Sequence, residues 1–159
     1  PNVTGWTGYL LNVTSGNWLD KSRVDITVWT HQLLVVVPDN MTITNRAALY
    51  ITGGCNNAGP PKADDEDLLL TATLAVENQM IAATLFQIPN CPLHFPSDPT
   101  HAGRSEDAAV AYTWYEFMKH LDEPEWILYW PMTRAASRAL TTITEFAATL
   151  PAKPSVERF

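Results

Sequence analysis

The segment from Trp29 to Val37 is apolar almost throughout and stops at Pro38-Asp39-Asn40. A strand with one wet face alternates apolar and polar residues, so this run predicts a strand covered on both faces. Cover on both faces requires a layered fold. A second strand is expected over Ala47 to Thr52. It ends abruptly in Gly53-Gly54-Cys55-Asn56-Asn57-Ala58-Gly59-Pro60-Pro61, the most unusual loop in the chain.

Helical periodicity begins after that loop. The acidic run Asp64 to Asp67 precedes the apolar stretch Leu68 to Val76, and carboxylates suit a helix start, so a helix is predicted from about Asp65 to Asn78. The same run lacks the spacing and turn glycine of an EF-hand. Met80 to Ile88 reads as a third strand, closed by Pro89-Asn90-Cys91-Pro92. Alternation of strand and helix predicts a mostly parallel sheet. Ahead of this core, Tyr9 to Thr14 and Val24 to Trp29 have the composition of outer strands.

Ser105-Glu106-Asp107 marks a further helix start, and Val110, Trp114, Phe117, Met118 and Leu121 fall on one face that is expected to pack on a core. Pro131 suits the first position of the last helix, whose face carries Met132, Ala136, Ala139, Ile143, Ala147 and Leu150. Ser155 to Phe159 reads as the opening of another strand. His94 and His101 lie in a proline-rich segment and are expected to be exposed or locally hydrogen-bonded.

At 159 residues, with 46% hydrophobic and 17% charged, the chain has material for one packed core. Ten Lys and Arg against 17 Asp and Glu, net −7, argue against nucleic acid as a partner. No uninterrupted apolar stretch is long enough to span a membrane. Three sequons, at Asn2, Asn12 and Asn40, predict N-linked glycans and a secreted or extracellular protein. Cys55 and Cys91 are the only cysteines, and no CxxC or Cys/His cluster accompanies them, so no metal site and no cofactor is expected. In an oxidising compartment they form a disulfide; otherwise they are two buried free thiols.

Several blocks together carry a resemblance: Asn12-Val13-Thr14-Ser15-Gly16-Asn17-Trp18-Leu19, Trp29 to Asp39, Ala48-Leu49-Tyr50-Ile51-Thr52-Gly53-Gly54, Pro89-Asn90-Cys91-Pro92-Leu93, Ser105 to Trp114 and Pro131-Met132. In order and spacing they resemble the PhoPQ-activated pathogenicity-related family, which includes secreted autocrine proliferation repressors of amoebae. The resemblance implies an α/β-hydrolase-type fold, with residues 1–159 as a single incomplete domain: 1–46 supply outer strands and the first core strand, 47–159 a βαβ core and two helices. In such folds one oxyanion amide comes from the loop after the third strand. Gly53, Gly54 and Cys55 occupy that place.

The triad of such enzymes runs nucleophile, acid, histidine from the turn after the fifth strand, so no catalytic residue is expected within this chain. Two functions follow. One is the amino-terminal portion of a secreted hydrolase acting on acyl or peptide bonds. The other is a non-catalytic extracellular signalling or binding glycoprotein on the same scaffold. Either way a companion polypeptide is expected to cover the sheet edge left open. If the strands before Cys55 and Cys91 are neighbours, their carboxyl ends lie within disulfide reach.

Overall fold

The computed structural model describes residues 4–159, so Asn2 lies outside the described residues. Its elements in chain order are β1 (Trp6–Asn17), β2 (Val28–Pro38), β3 (Ala47–Ile51), α1 (Glu66–Asn78), β4 (Ile81–Leu85), α2 (Glu106–Lys119), a 3₁₀ turn (Pro124–Trp126) and α3 (Tyr129–Thr149). The sheet has four strands in the order β1-β2-β4-β3.

β2 is covered on both faces. Its Leu34 and Val36 join Ala72 and Ala75 of α1 and Ala82 of β4 in one buried cluster. Leu33 and Val35 point the other way, into a larger cluster with Val13, Leu85 and the α3 residues Ala135, Ala139, Ile143 and Ala147. The alanines let α3 approach the sheet closely, and burying Ile143 contributes roughly 1.5–3 kcal/mol.

The expectation of a mostly parallel sheet is corrected. β1 pairs antiparallel with β2, and β2 antiparallel with β4; only β3 and β4 run parallel, with Ala47 opposite Ile81 and Ile51 opposite Leu85. The β3-α1-β4 crossover imposes parallel pairing on its own two strands and says nothing about β2. Continuous apolar character in β2 reports double cover, not strand direction.

Two further expectations change. Val24 is fully buried, yet residues 24–27 are irregular, and of the expected outer strand only Val28 and Trp29 are extended, as the start of β2. α2 buries Ala109, Tyr112, Thr113 and Glu116; of the predicted face only Val110 and Phe117 are half-buried against the same core, and the rest of it is exposed. Trp114 is 38% exposed, Met118 63% and Leu121 71%. The partners of the buried face are Trp29 at the start of β2, Trp126 of the 3₁₀ turn, and Trp18, Leu93, Phe95 and Leu128 from connecting segments, which form a separate cluster.

After α3 the chain returns to the free edge of β3. Arg158 forms a parallel bridge with Arg46, with Ala47 N–H donating to Arg158 O at 3.0 Å and Glu157 N–H to Asn45 O at 3.1 Å. This single bridge is all that Ser155 to Phe159, expected to open another strand, contribute to the sheet. Among the described residues no helix is long and apolar enough to cross a membrane.

Candidate functional site

The carboxyl ends of β3 and β4 are tied together beyond their ladder. Thr52 N–H donates to Leu85 O at 2.9 Å, Gln87 N–H to Gly53 O at 2.8 Å, and Asn56 N–H to Cys91 O at 2.7 Å. Cys55 and Cys91 form a disulfide with their Cα atoms 4.5 Å apart, as neighbouring parallel strands allow. The two buried thiols of the alternative reading are therefore absent.

Within this frame Gly54 has φ +88°, a left-handed conformation that favours glycine. Its N–H donates to Oε1 of Glu106 at 3.4 Å. At Gly53 a Cβ would stand 2.6 Å from the same oxygen, so the missing side chain is what admits the carboxylate. Glu106 opens α2 with φ +44°, a conformation rarely adopted by a residue of this kind. Ser105, at the N-cap position, makes no side-chain capping bond. Its Oγ lies 3.5 Å from Cys55 Sγ, against the disulfide.

These residues rim a cleft of about 670 Å³ that also includes Thr52, Pro60, Pro61, Phe86 and Gln87. Its other wall is the start of α1. Asp65 caps that helix, accepting from Asp67 N–H at 3.0 Å and Leu68 N–H at 3.1 Å. Asp67 in turn accepts from Thr52 Oγ1 at 2.9 Å, joining the helix to the end of β3. Asp64, Asp65, Glu66, Asp67 and Glu106 face one cation, Lys62, in the lining. Among the described residues no group of His, Cys, Asp and Glu is arranged to hold a metal ion.

The loop can therefore present a main-chain donor to a negatively charged oxygen, with little side-chain bulk in the way. Gly53, Gly54 and Cys55 all line the rim of this cleft. Glu106 escapes sequence reasoning. A glutamate in the first turn of a helix normally reads as a dipole partner, and nothing in the sequence signals its return to a loop so far upstream.

The histidines lie away from this cleft. His31 is buried, with Nε2 3.0 Å from Ser15 Oγ and Nδ1 3.1 Å from Gln87 O. His94 is exposed and pairs with Asp25 Oδ2 at 2.9 Å. His101 and His120 are exposed. Asn12, on β1, and Asn40, in the turn after β2, both have exposed side chains open to modification.

Fold and loop together define a layered α/β protein with a glycine-lined cleft at the carboxyl ends of its parallel pair. The sequence profile described as PhoPQ-activated pathogenicity-related protein matches residues 2–159, and the chain belongs to that family. It is 34% identical over 146 residues to "Autocrine proliferation repressor protein A" of Dictyostelium discoideum, an alignment covering 91% of this chain and 28% of that relative. The chain thus spans under a third of that relative's length. No solved structure matches significantly.

Proposed function

We propose that this chain is the amino-terminal portion of a secreted, N-glycosylated protein with an α/β-hydrolase-like fold, which hydrolyses acyl or peptide bonds with a nucleophile carried outside residues 1–159. The carrying observation is the bond from Gly54 N–H to a carboxylate oxygen at the rim of the cleft. The loop after the third strand supplies an oxyanion amide in α/β-hydrolases, and Gly53-Gly54 follows β3 after one residue, Thr52. In this reading the Glu106 carboxylate occupies the place that a substrate's developing oxyanion takes. The isolated parallel bridge from Arg158 to Arg46, on the outer edge of β3, supports a companion stretch of polypeptide that completes the sheet and brings the nucleophile.

The test is to label the natural product with a fluorophosphonate and map the adduct. A single modified serine outside residues 1–159 is expected; no adduct, with all the natural polypeptide present, overturns the enzyme reading. Intact mass before and after enzymatic deglycosylation checks the glycans at Asn2, Asn12 and Asn40.

A second reading draws on the name of the Dictyostelium relative, a proliferation repressor. In it the scaffold is a non-catalytic extracellular signal, and Glu106 fills the loop permanently. An unlabelled protein that still slows growth of cells of its own source would favour that reading.

A further inference from the structure

Glu106 stands in a conformation that its contact with the glycine loop maintains. Its φ of +44° lies in the left-handed region that side chains rarely adopt, and such strain persists only where neighbours hold it. Ser105 has the extended backbone of an N-cap, φ −120° and ψ 151°, yet its hydroxyl makes no capping bond and lies instead 3.5 Å from Cys55 Sγ. The first turn of α2 thus forgoes its cap and carries a strained residue, and in return Glu106 Oε1 accepts from Gly54 N–H at 3.4 Å.

The loop side of this contact is fixed. Gly53 O accepts from Gln87 N–H at 2.8 Å, Cys55 is linked to Cys91, and Asn56 N–H donates to Cys91 O at 2.7 Å. Glu106, by contrast, is exposed and makes no ion pair among the described residues, and it lines the same cleft as Asp64, Asp65, Glu66 and Asp67, whose like charge does nothing to hold its carboxylate there. Movement therefore belongs to the start of α2. If Glu106 turns out of the left-handed region, Ser105 Oγ can accept from the amide of Asp107 or Ala108, so that a normal cap and relief of strain offset the lost contact.

We propose that Glu106 is a removable stopper of the Gly54 amide. The start of α2 has a closed state, in which the carboxylate holds the amide and Ser105 caps nothing, and an open state, in which Ser105 caps the helix and the amide is free for an oxyanion. This regulation rests on the reading above of the loop as part of a hydrolase site. A substrate that develops negative charge on its carbonyl oxygen competes for the same donor and draws the equilibrium towards the open state.

Rates of fluorophosphonate labelling test it, measured on the full natural polypeptide and on its variants Glu106→Ala, Glu106→Gln, Ser105→Ala and Ser105→Ala/Glu106→Ala. Glu106→Ala is expected to label several-fold faster than the parent, and Glu106→Gln, which keeps the side-chain volume and loses the charge, at a rate between the two. Ser105→Ala removes the cap from the open state alone and should label about fivefold slower than the parent. The double variant should match Glu106→Ala, because nothing is left to close the site. Parent-like or slower labelling of both Glu106 variants overturns the stopper and leaves the hydrolase reading standing. Ser105→Ala as fast as the parent, or a double variant slowed by the same factor as Ser105→Ala, overturns the exchange of caps and with it the two-state proposal. Labelling of neither the parent nor any variant overturns the hydrolase reading, and this regulation with it.

Discussion

His31 and Ser15 are joined across the β1–β2 ladder by a buried 3.0 Å hydrogen bond, and the other ring nitrogen of His31 lies 3.1 Å from the carbonyl of Gln87. A carbonyl only accepts, so Nδ1 carries the proton and Nε2 accepts from the Ser15 hydroxyl. One neutral tautomer satisfies both partners. Burial opposes the charged ring and pushes its pKa down from 6.5 to about 4.

The stability consequence has a definite sign. The depressed pKa means that the unfolded chain binds a proton at a pH where the folded chain does not, so this contribution is complete above pH 6.5 and is lost as pH falls towards 4. The full loss is about 3 kcal/mol. Denaturant titrations at neutral pH and near pH 4.5 check this. His31→Gln should flatten the dependence in this window, and an equal slope in the variant would contradict the assignment.

The two loop glycines should respond in opposite order to their crowding. At Gly54 an added Cβ would meet nothing within 4 Å, yet φ there is +88°. Gly54→Ala is expected to cost about 1–2 kcal/mol through backbone strain. Gly53→Ala meets only the end of the Glu106 side chain. That carboxylate can swing away, so a cost below about 1 kcal/mol is expected. Thermal unfolding of both variants decides the ranking.

The disulfide closes a sequence separation of 36 residues. In the chain-entropy account such a closure stabilises by about 4 kcal/mol. The double variant Cys55→Ser/Cys91→Ser should lose most of this, and hydrogen exchange should rise first in the amides of residues 53–57. A protein as stable as the parent would argue that native strain cancels the entropic gain.

Asp65→Ala removes the acceptor for two otherwise unpaired helix amides. It should cost about 1 kcal/mol and loosen the start of α1. Asp65→Asn should retain most of the stability. Chemical denaturation separates the two.

Much of this fold was legible where one element sees one kind of surroundings. β2 was readable because both its faces are dry, and α1 and α3 because their stripes meet a flat sheet. The face of α2 was misread for the opposite reason. Its neighbours Trp18, Phe95 and Trp126 come from connecting segments and a short 3₁₀ turn whose positions no periodicity records, while Thr113 bonds its own helix carbonyl and Glu116 is met by Lys119, which makes burial of both tolerable. Gly53-Gly54 could be placed in a loop at a strand's end from the apolar run ahead of it. Glu106 could not, because its contact depends on the path of a long irregular segment between β4 and α2.

Where β4 ends, β2 still has two rungs to fill. Gln87 Oε1 accepts from Gln32 N–H at 3.0 Å, Asn90 Oδ1 from Thr30 N–H at 3.1 Å, and Phe86 N–H donates to Gln32 O at 2.9 Å. Asn56 Nδ2 donates to Thr30 O at 2.7 Å. Side-chain amides thus finish a zipper that backbone began, and an incoming foreign strand finds no vacant donors or acceptors along this seam.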